Sequence, residues 1–477
     1  MQRSTEPGDA ARLPGLTGVS ADSRRIGPGM VFVALAGTQA DGRAFIADAV
    51  ARGAIAVLAA PGTILPAGIA VPLLIDANPR RALARLATEL AGPQPDHIVA
   101  VTGTNGKTST AEFTRQLWAA AGRRAASLGT LGLIAPDAAA GSGLTTPDPV
   151  ELASIMAGLA RDGVADVAVE ASSHGLDQNR LDGLRLAAGA FTNLTRDHLD
   201  YHRDMTAYRA AKLRLFGELL PPGAPAFASG SLDGETFAAL AAIAAARGLK
   251  LQRVGVGGDD IRLLRATALP DGQALELRVD GGLCSLHLPL AGLFQADNAL
   301  LAAGLARATG VANAIDLLPG LDGVRGRMEL AARLPNQAAV YVDFAHTPDA
   351  LARLLMALRL HSAGRLSVVI GAGGDRDPGK RPLMGAAAAQ YADAVIVTDD
   401  NPRSENPAAI RAAVLAGCPG GREIGDRAAA IAAGLNDLGP GDVLVVAGKG
   451  HEQGQQIGGH TLPFDDVGVI RHLVGLA

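Results

Sequence analysis

The chain has 477 residues, 48% of them hydrophobic, and a length that exceeds a single core and indicates about three domains. Its formal net charge of −4 and pI near 6.2 exclude a basic stripe for nucleic acid. No segment holds the roughly 18 consecutive apolar residues of a membrane span, and the first residues lack the apolar region of a secretion signal, so we expect a cytoplasmic protein.

The first part of the chain alternates short apolar strands with helical segments. We predict strands at 31–35, 54–58 and 73–75 and a helix at 78–90. The segment Gly92-Pro-Gln-Pro95 then has the composition of a linker. These features predict a first domain over residues 1–92.

The remainder repeats a strand-loop-helix pattern. Residues 93–326 contain one polar, alternating stretch at 274–288 that predicts a hairpin. After Arg327 the alternation is regular, with strands predicted at 339–344, 366–370, 394–398 and 442–447. This pattern is typical of a mostly parallel sheet covered by helices. We therefore predict an α/β protein of three domains, with boundaries at 1–92, 93–326 and 327–477.

A glycine-rich loop follows the apolar run 97–101 and leads directly into a helix-forming segment. Its sequence is Gly103-Thr104-Asn105-Gly106-Lys107-Thr108-Ser109. In such loops backbone N–H groups and the helix start bind phosphate, the lysine reaches the outer phosphates, and a hydroxyl can bind Mg²⁺. The general phosphate-loop pattern has a glycine where this chain has Val101, so a shorter GTNGKT loop describes it better. A plain turn between strand and helix is the alternative.

Polar side chains also follow two later strands. The strand at 166–170 ends in Glu170, and the segment after Phe191 contains His198 and His202. Ligands bind at such strand ends, and oxygen donors with one imidazole suit Mg²⁺. Glu170 is either a metal ligand or part of a capped turn. The histidine spacing also fits a zinc pair, but HExxH is absent and the preceding residues are turn-like, which disfavours zinc.

Lysine is rare in this chain, and most basic residues are arginine. We expect a lysine that persists in such a composition to do what arginine cannot. Lys250 is the exception and has the pattern of a surface residue. Lys212 lies in a predicted helical segment. A free ammonium group beside Mg²⁺ would be repelled, so a lysine there is explained if its amine has reacted with CO₂ to form a carbamate, which is an anionic oxygen ligand. The five lysines are Lys107, Lys212, Lys250, Lys380 and Lys449.

Three motifs follow predicted strands in the C-terminal part. Arg376 and Arg403 suit bidentate contacts with carboxylates, and Glu452 suits an ammonium group. The alternative is that these arginines pair with neighbouring aspartates. The motifs are Gly-Gly-Asp-Arg376-Asp, Asp400-Asn401-Pro402-Arg403 and Gly448-Lys-Gly-His-Glu452.

The phosphate loop resembles that of the Mur ligases and their folylpolyglutamate synthase relatives, which activate a carboxylate with ATP and join it to an amine. The segments around Glu170, His198 and Lys212 resemble the Mur ligases that add the third residue of the peptidoglycan stem. The Asp-Asn-Pro-Arg403 string resembles the motif of members that add meso-diaminopimelate. The resemblance covers essentially the whole chain. It implies an N-terminal UDP-substrate-binding domain, a central P-loop-type ATPase domain and a C-terminal Rossmann-like, amino-acid-binding domain.

The resemblance also implies a role for each matching residue. Catalysis is implied for Lys107, Lys212, Glu170 and His198. ATP binding is implied for Gly103, Thr104, Asn105, Gly106, Lys107, Thr108, Ser109, Asn298, Arg327 and Asp343. UDP-substrate binding is implied for Ser23, Thr38, Gln39, Ala40, Thr145, Thr146, Ser172, Gln178 and Arg180. Diaminopimelate binding is implied for Arg376, Asp400, Asn401, Pro402, Arg403, Gly448 and Glu452, and Mg²⁺ binding for Thr108, Glu170, His198 and a carbamate on Lys212.

The implied reaction is ATP-dependent addition of meso-diaminopimelate to UDP-N-acetylmuramoyl-L-alanyl-D-glutamate through an acyl phosphate, in peptidoglycan precursor synthesis. The expected partners are these small molecules, without nucleic acid or membrane, and a monomer is expected. Leu144 departs from the asparagine of some members, and Phe344 from a frequent tyrosine. The alternatives are a lysine-adding ligase of the same family, a folylpolyglutamate synthase-like ligase, and an ATPase that hydrolyses ATP without an amino acid.

Overall fold

The structure is a computed structural model that describes residues 13–37, 40–140 and 144–476. The chain separates into two compact units. The first consists of Met1–Val254 with Leu301–Ala314, and the second of Gly255–Leu300 with Ile315–Ala477. Both are built from mostly parallel sheets covered by helices, as the sequence pattern predicts.

A four-stranded parallel sheet opens the first unit, in the order β1-β2-β3-β4. Its strands are almost wholly apolar because both faces are covered. Asn78 begins α2 by accepting a hydrogen bond from the N–H of Arg81, and Gly92, at φ 104°, ends it. The elements are β1 (Gly18–Ser20), β2 (Met30–Ala34), α1 (Ile46–Ala51), β3 (Ala56–Ala59), β4 (Leu73–Ile75) and α2 (Pro79–Ala91).

The larger sheet of the first unit places β5 between β9 and β10, so that the ends of these three strands meet at one edge. Buried aliphatic side chains on this sheet form the core of the unit. The elements are β5 (His97–Thr102), α3 (Lys107–Ala120), β6 (Ala125–Gly129), β7 (Gly132–Ala135), β8 (Ala138–Ala140), α4 (Pro149–Arg161), β9 (Asp166–Glu170), α5 (Ser173–Asp177), β10 (Leu186–Phe191), α6 (Met205–Arg214), a π-helical turn (Leu215–Leu219), β11 (Pro225–Ser229), α7 (Gly234–Arg247) and β12 (Lys250–Val256).

The predicted hairpin at 274–288 is the second half of a three-stranded antiparallel meander. The first of its strands was not predicted, because Leu264 and Arg265 break the alternation of apolar and polar residues that marks a strand. The elements are β13 (Ile261–Leu269), β14 (Gly272–Val279) and β15 (Gly282–Leu288), followed by α8 (Phe294–Ala308).

The sheet of the second unit has the order β16-β17-β21-β18-β19-β20, in which only β16 is antiparallel among the described strands. Apolar clusters cover both faces. The elements are β16 (Glu329–Arg333), β17 (Ala339–Asp343), α9 (Pro348–Arg359), β18 (Leu366–Ile370), α10 (Lys380–Tyr391), β19 (Ala394–Val397), α11 (Pro407–Leu415), β20 (Arg422–Glu423), α12 (Arg427–Asn436), β21 (Val443–Ala447), β22 (Gly454–Ile457), β23 (His460–Pro463) and α13 (Asp466–Leu473).

A buried ion pair joins the starts of two helices in this unit. Arg427, at the start of α12, donates to both carboxylate oxygens of Asp466, at the start of α13, at 2.7 and 2.8 Å. Both side chains are fully buried. Arg427 also donates to the carbonyl of Ala447 at 3.1 Å, which ties the end of β21 to both helices.

Among the helices that the structure describes, none has the length and apolar character needed to span a bilayer.

Candidate active site

The glycine-rich loop lies between β5 and α3, as predicted. Gly103 packs so closely on the end of β10 that a Cβ atom there would lie 1.9 Å from Oγ1 of Thr192. The N–H of Thr104 donates to the carbonyl of Asn193 at 2.8 Å, which fixes the loop to the same segment. Gly106 precedes α3 at φ 84°, and no side chain caps this helix start. A helix start that follows a glycine-rich loop in this way is a common binding site for anions.

Lys107 lies over this loop. Its Nζ donates to the carbonyl oxygens of Gly103 at 3.0 Å and Thr104 at 2.9 Å. Thr108 and Ser109, the next two residues, are buried. The loop therefore combines an ammonium group, hydroxyls and helix-start N–H groups, which are the donors that a polyphosphate requires.

Lys212 reaches the same loop from α6. It is 1% exposed, and its Nζ donates to the carbonyl of Gly103 at 2.7 Å and lies 4.5 Å from the ring centre of Tyr208. Burial, reinforced by the charge of Lys107, holds the pKa of Lys212 well below its usual range. The lowered pKa favours the neutral amine, the form that reacts with CO₂.

Glu170 ends β9 with its carboxylate buried. It accepts hydrogen bonds from the N–H and the hydroxyl of Thr130 at 2.7 and 3.2 Å. Gly129 makes this approach possible, because a Cβ atom there would lie 2.1 Å from Oε1 of Glu170. The carboxylate is thus held at the edge of the sheet where β5 also ends.

His198 lies in a turn with a left-handed backbone, φ 52°, and its side chain is 46% exposed. Its ring meets that of His174 edge-on at 5.0 Å. Among the described residues, no group of three or more His, Cys, Asp or Glu side chains is arranged for a metal ion. Of the four residues predicted to bind Mg²⁺, Glu170 supplies a carboxylate and His198 an imidazole. The other two are Thr108 and Lys212. The chemistry of this set fits Mg²⁺ only when Lys212 supplies a further oxygen ligand.

A cavity of about 350 Å³ in the first unit contains two of the residues predicted for the UDP substrate, Gln178 and Arg180. Arg180 donates to the carbonyl of Thr146 at 2.6 Å and to Oε1 of Gln178 at 2.8 Å. Thr146 and Ser172 share a hydroxyl hydrogen bond of 3.0 Å. The sequence interpretation missed several residues that line this cavity, among them Arg25, Arg80 and Asp148.

The other predicted UDP-substrate residues are placed as follows. Thr145 shares a hydroxyl hydrogen bond of 3.2 Å with Thr130, Ser23 is buried, and Ala40 is exposed. Thr38 and Gln39 lie outside the described residues.

A larger, more open depression of about 530 Å³ lies elsewhere on this unit and contains none of the predicted residues. It is lined by Asp96, Leu184, Arg185, Leu186, Ala187, Leu219 and Pro221.

The three C-terminal motifs come together in the second unit. Asn401 donates to Oε2 of Glu452 at 2.8 Å. Gly448, at φ 116°, allows Asp400 to approach, because a Cβ atom at this glycine would lie 2.6 Å from Oδ2 of Asp400. These groups offer an amide and two carboxylates within a small region, which is the chemistry that an ammonium ligand requires.

Arg403 is held in a left-handed backbone conformation at φ 52°. Its guanidinium donates to the carbonyl of Gly374 at 2.7 Å and to Oε1 of Gln456 at 3.0 Å. Arg376, in the neighbouring loop, is exposed, and Pro402 is buried. The predicted alternative, an arginine paired with a nearby aspartate, is not the arrangement of Arg403 within the described residues, where its guanidinium donates to a carbonyl and an amide.

The remaining predicted nucleotide residues also lie in the second unit. Asn298 donates to Oε1 of Gln295 at 2.8 Å. The guanidinium of Arg327 stacks on the ring of Phe344 at 5.0 Å. Asp343 accepts from the N–H groups of Met328 and Ala345 at 2.8 and 2.7 Å, and burial raises the pKa of its carboxyl.

Comparison with known proteins agrees with this arrangement. Three family models match the chain: the Mur ligase family catalytic domain at 15–89, the Mur ligase middle domain at 101–306 and the Mur ligase glutamate ligase domain at 326–450. A Rhizobium meliloti protein called UDP-N-acetylmuramoyl-L-alanyl-D-glutamate–2,6-diaminopimelate ligase is 52% identical, over 98% of this chain and 96% of its own. A Caulobacter vibrioides protein of the same name is 53% identical, over 95% and 94%.

Solved structures give the same result. The structure of a UDP-N-acetylmuramoyl-L-alanyl-D-glutamate–2,6-diaminopimelate ligase matches with a TM-score of 0.74 and 34% identity, covering 96% of this chain and 95% of that one. A Mycobacterium tuberculosis folylpolyglutamate synthase matches in fold, with a TM-score of 0.62, 21% identity and coverage of 83% and 95%. The family models and these relatives identify the chain as an ATP-dependent ligase. The chain belongs to the Mur ligase family.

Proposed function

We propose that this chain joins meso-2,6-diaminopimelate to UDP-N-acetylmuramoyl-L-alanyl-D-glutamate in the synthesis of peptidoglycan precursors. The observation that carries the proposal is the C-terminal cluster, in which Asn401, Glu452 and Arg403 provide partners for both an ammonium and a carboxylate. The names and the identity of the relatives support the same substrates. A folylpolyglutamate synthase-like activity is disfavoured because the family model of the N-terminal segment also matches.

The chemistry begins with phosphoryl transfer. The γ-phosphoryl group of ATP passes to the glutamyl carboxylate to give an acyl phosphate and ADP. The amine of diaminopimelate attacks the acyl carbon, the C–O bond to phosphate breaks, and the amine loses a proton to give the amide and inorganic phosphate. Catalysis of this kind is mainly positioning and stabilisation of the transferring phosphoryl group.

The phosphate loop supplies that stabilisation. We assign Lys107, the N–H groups from Gly103 to Ser109 and the start of α3 to the phosphates of ATP. Asn298, Arg327 and Asp343 are assigned to the nucleotide. The placement of Lys107 over two loop carbonyls supports its role, because movement of Nζ from these carbonyls to a phosphate exchanges neutral acceptors for a charged one.

Mg²⁺ and a carbamate belong to this proposal. Thr108, Glu170, His198 and a carbamate on Lys212 would hold Mg²⁺, which when bound spreads the charge of the transferring phosphoryl group. The carbamate forms when the neutral amine of Lys212 attacks CO₂, which creates an N–C bond and releases a proton. The buried position and lowered pKa of Lys212 support this assignment.

The UDP substrate and diaminopimelate are assigned to separate sites. We assign the cavity at Gln178 and Arg180 to the UDP substrate, together with Ser23, Thr38, Gln39, Ala40, Thr145, Thr146 and Ser172. Diaminopimelate is assigned to Arg376, Asp400, Asn401, Pro402, Arg403, Gly448 and Glu452.

We also propose the domain boundaries 1–92, 93–326 and 327–477, a monomeric state, a cytoplasmic location and no nucleic-acid or membrane partner. The ranges of the three family models support the boundaries.

Release of inorganic phosphate tests the proposal. Purified protein with ATP and Mg²⁺ should release phosphate only when both the UDP-linked dipeptide and diaminopimelate are present, and the product should carry a new amide. Phosphate release without an amino acid would instead identify an ATPase. Phosphate release that is equally fast with lysine would identify the lysine-adding activity.

A further inference from the structure

Lys449 is a buried lysine to which the proposed reaction assigns no role. It lies two residues after the end of β21, between Gly448 and Gly450, and is 0% exposed. Both glycines have positive φ values, 116° and 54°, and a Cβ atom at Gly450 would lie 2.7 Å from that of Phe344. The backbone is therefore shaped so that this one side chain points inward. A buried ammonium is costly unless polar partners surround it.

The partners of Lys449 are two residues of the proposed diaminopimelate site. Its Nζ donates to Oδ1 of Asn401 at 3.0 Å and to Oε2 of Glu452 at 3.2 Å. Asn401 donates in turn to the same Oε2 at 2.8 Å. The three side chains thus form a closed triangle of hydrogen bonds, in which the position of each is set by the other two.

This triangle also determines which atoms remain for a ligand. Oδ1 of Asn401 accepts from both Lys449 and the N–H of Gln456, so the amide must turn its Nδ2 toward Glu452. In the part of the chain that the structure describes, the hydrogen bonds to the Glu452 side chain go to Oε2. Oε1 is left for an incoming group, and the side chain of Glu452 is 36% exposed while Lys449 is enclosed.

We infer that Lys449 is a positioning residue of the amino-acid site, which holds Asn401 and Glu452 in the geometry that binds the ammonium group of the incoming amino acid. Its enclosure means that it acts through these two residues and does not touch the substrate. Its ammonium group also forms an ion pair with the carboxylate of Glu452. Arginine would not replace it, because a planar guanidinium is larger and directs its donors differently. This inference rests on the proposed function.

The test is a comparison of Michaelis constants in the full-length protein. Lys449→Met keeps the length of the side chain and removes the donors, and Lys449→Gln keeps a donor without the charge. We expect the KM for diaminopimelate to rise by about tenfold or more in Lys449→Met and by less in Lys449→Gln, because hydrogen bonds to charged groups are lost. The KM values for ATP and for the UDP-linked dipeptide should stay close to those of the unmodified protein. Lys250→Met, at an exposed lysine, is the matched control and should change none of them.

A second comparison separates positioning from general packing. If Lys449 acts through Glu452, the effects of Lys449→Met and Glu452→Gln on the KM for diaminopimelate should be far from additive. Equal increases in all three KM values, additive effects, or loss of folding in both Lys449 variants would overturn the inference. An unmodified protein that does not consume diaminopimelate would instead overturn the proposed function, which keeps the two failures distinct.

Discussion

Nζ of Lys212 lies 2.7 Å from the carbonyl oxygen of Gly103, so a lysine from α6 contacts the first residue of the phosphate loop. Lys107 contacts the same carbonyl at 3.0 Å. Two ammonium groups this close repel each other, and burial adds to the cost of charging Lys212. Conversion of one of them to an anionic carbamate would remove that repulsion.

We therefore expect Lys212→Arg to be as inactive as Lys212→Ala. Arginine keeps a positive charge but does not form a carbamate. Ligation should be measured as amide product, and the carbamate as a ¹³C signal that appears in ¹³C-bicarbonate with the unmodified protein and not with either variant. Lys250→Arg is the control. Substantial activity in Lys212→Arg would show that Lys212 acts as a simple cation.

Lys107→Ala should abolish ligation and leave the fold intact. The ammonium group donates to carbonyls of the phosphate loop, so its loss removes charge at the phosphates without opening the core. Product formation at saturating ATP and the thermal midpoint of unfolding are the two measurements. Near-normal turnover would contradict the assignment of the phosphate loop.

Lysine should be at best a very poor substrate. It lacks the second carboxylate of diaminopimelate, and a site built around such a group can reject an analogue without it by about 10⁴-fold. Arg403→Ala should accordingly raise the KM for diaminopimelate far more than the KM for ATP. The check is kcat/KM for each amino acid; similar values in the unmodified protein would refute the assignment of diaminopimelate and leave the ligase assignment in place.

Gln456→Glu should weaken binding of diaminopimelate. The glutamine oxygen accepts from Nε of Arg403, and a carboxylate in its place would pair with the guanidinium and compete with the substrate. The expected rise in KM is about tenfold, the order of one charge-assisted hydrogen bond, and Gln456→Ala should have a smaller effect. Thr461→Ala, on the exposed strand β23, is the control. An unchanged KM for diaminopimelate in Gln456→Glu would show that Gln456 does not orient Arg403.

Asp466→Asn should destabilise the second unit strongly. The change leaves the guanidinium of Arg427 fully buried without its charged partner, which costs about 3–5 kcal/mol, whereas removing both charges together costs less. Urea unfolding followed by circular dichroism should show a lower midpoint for Asp466→Asn than for the double change Arg427→Met with Asp466→Leu. If the double variant is the less stable of the two, the pair contributes net stability.

The sequence predicted the class of fold and the strands that carry the site, because buried parallel strands such as Leu73–Ile75 and Val443–Ala447 are uninterrupted apolar runs. It did not predict that Lys212 contacts Gly103, since the two are 109 residues apart and only the pairing of strands brings them together. Gln456 was missed for a different reason: it lies on an exposed hairpin strand and belongs to no motif. Lys449 did stand out, through the scarcity of lysine alone.

The Arg427–Asp466 pair also bears on how the second unit opens. Because Arg427 bonds both to α13, through Asp466, and to the end of β21, through Ala447, these segments separate only if a desolvated charge pair is broken. Amide protons near Ala447 and in the first turns of α12 and α13 should therefore exchange with solvent together, through one shared opening. The motif that contains Gly448 and Glu452 begins directly after Ala447, so we expect it to be anchored to a segment whose amide protons exchange slowly.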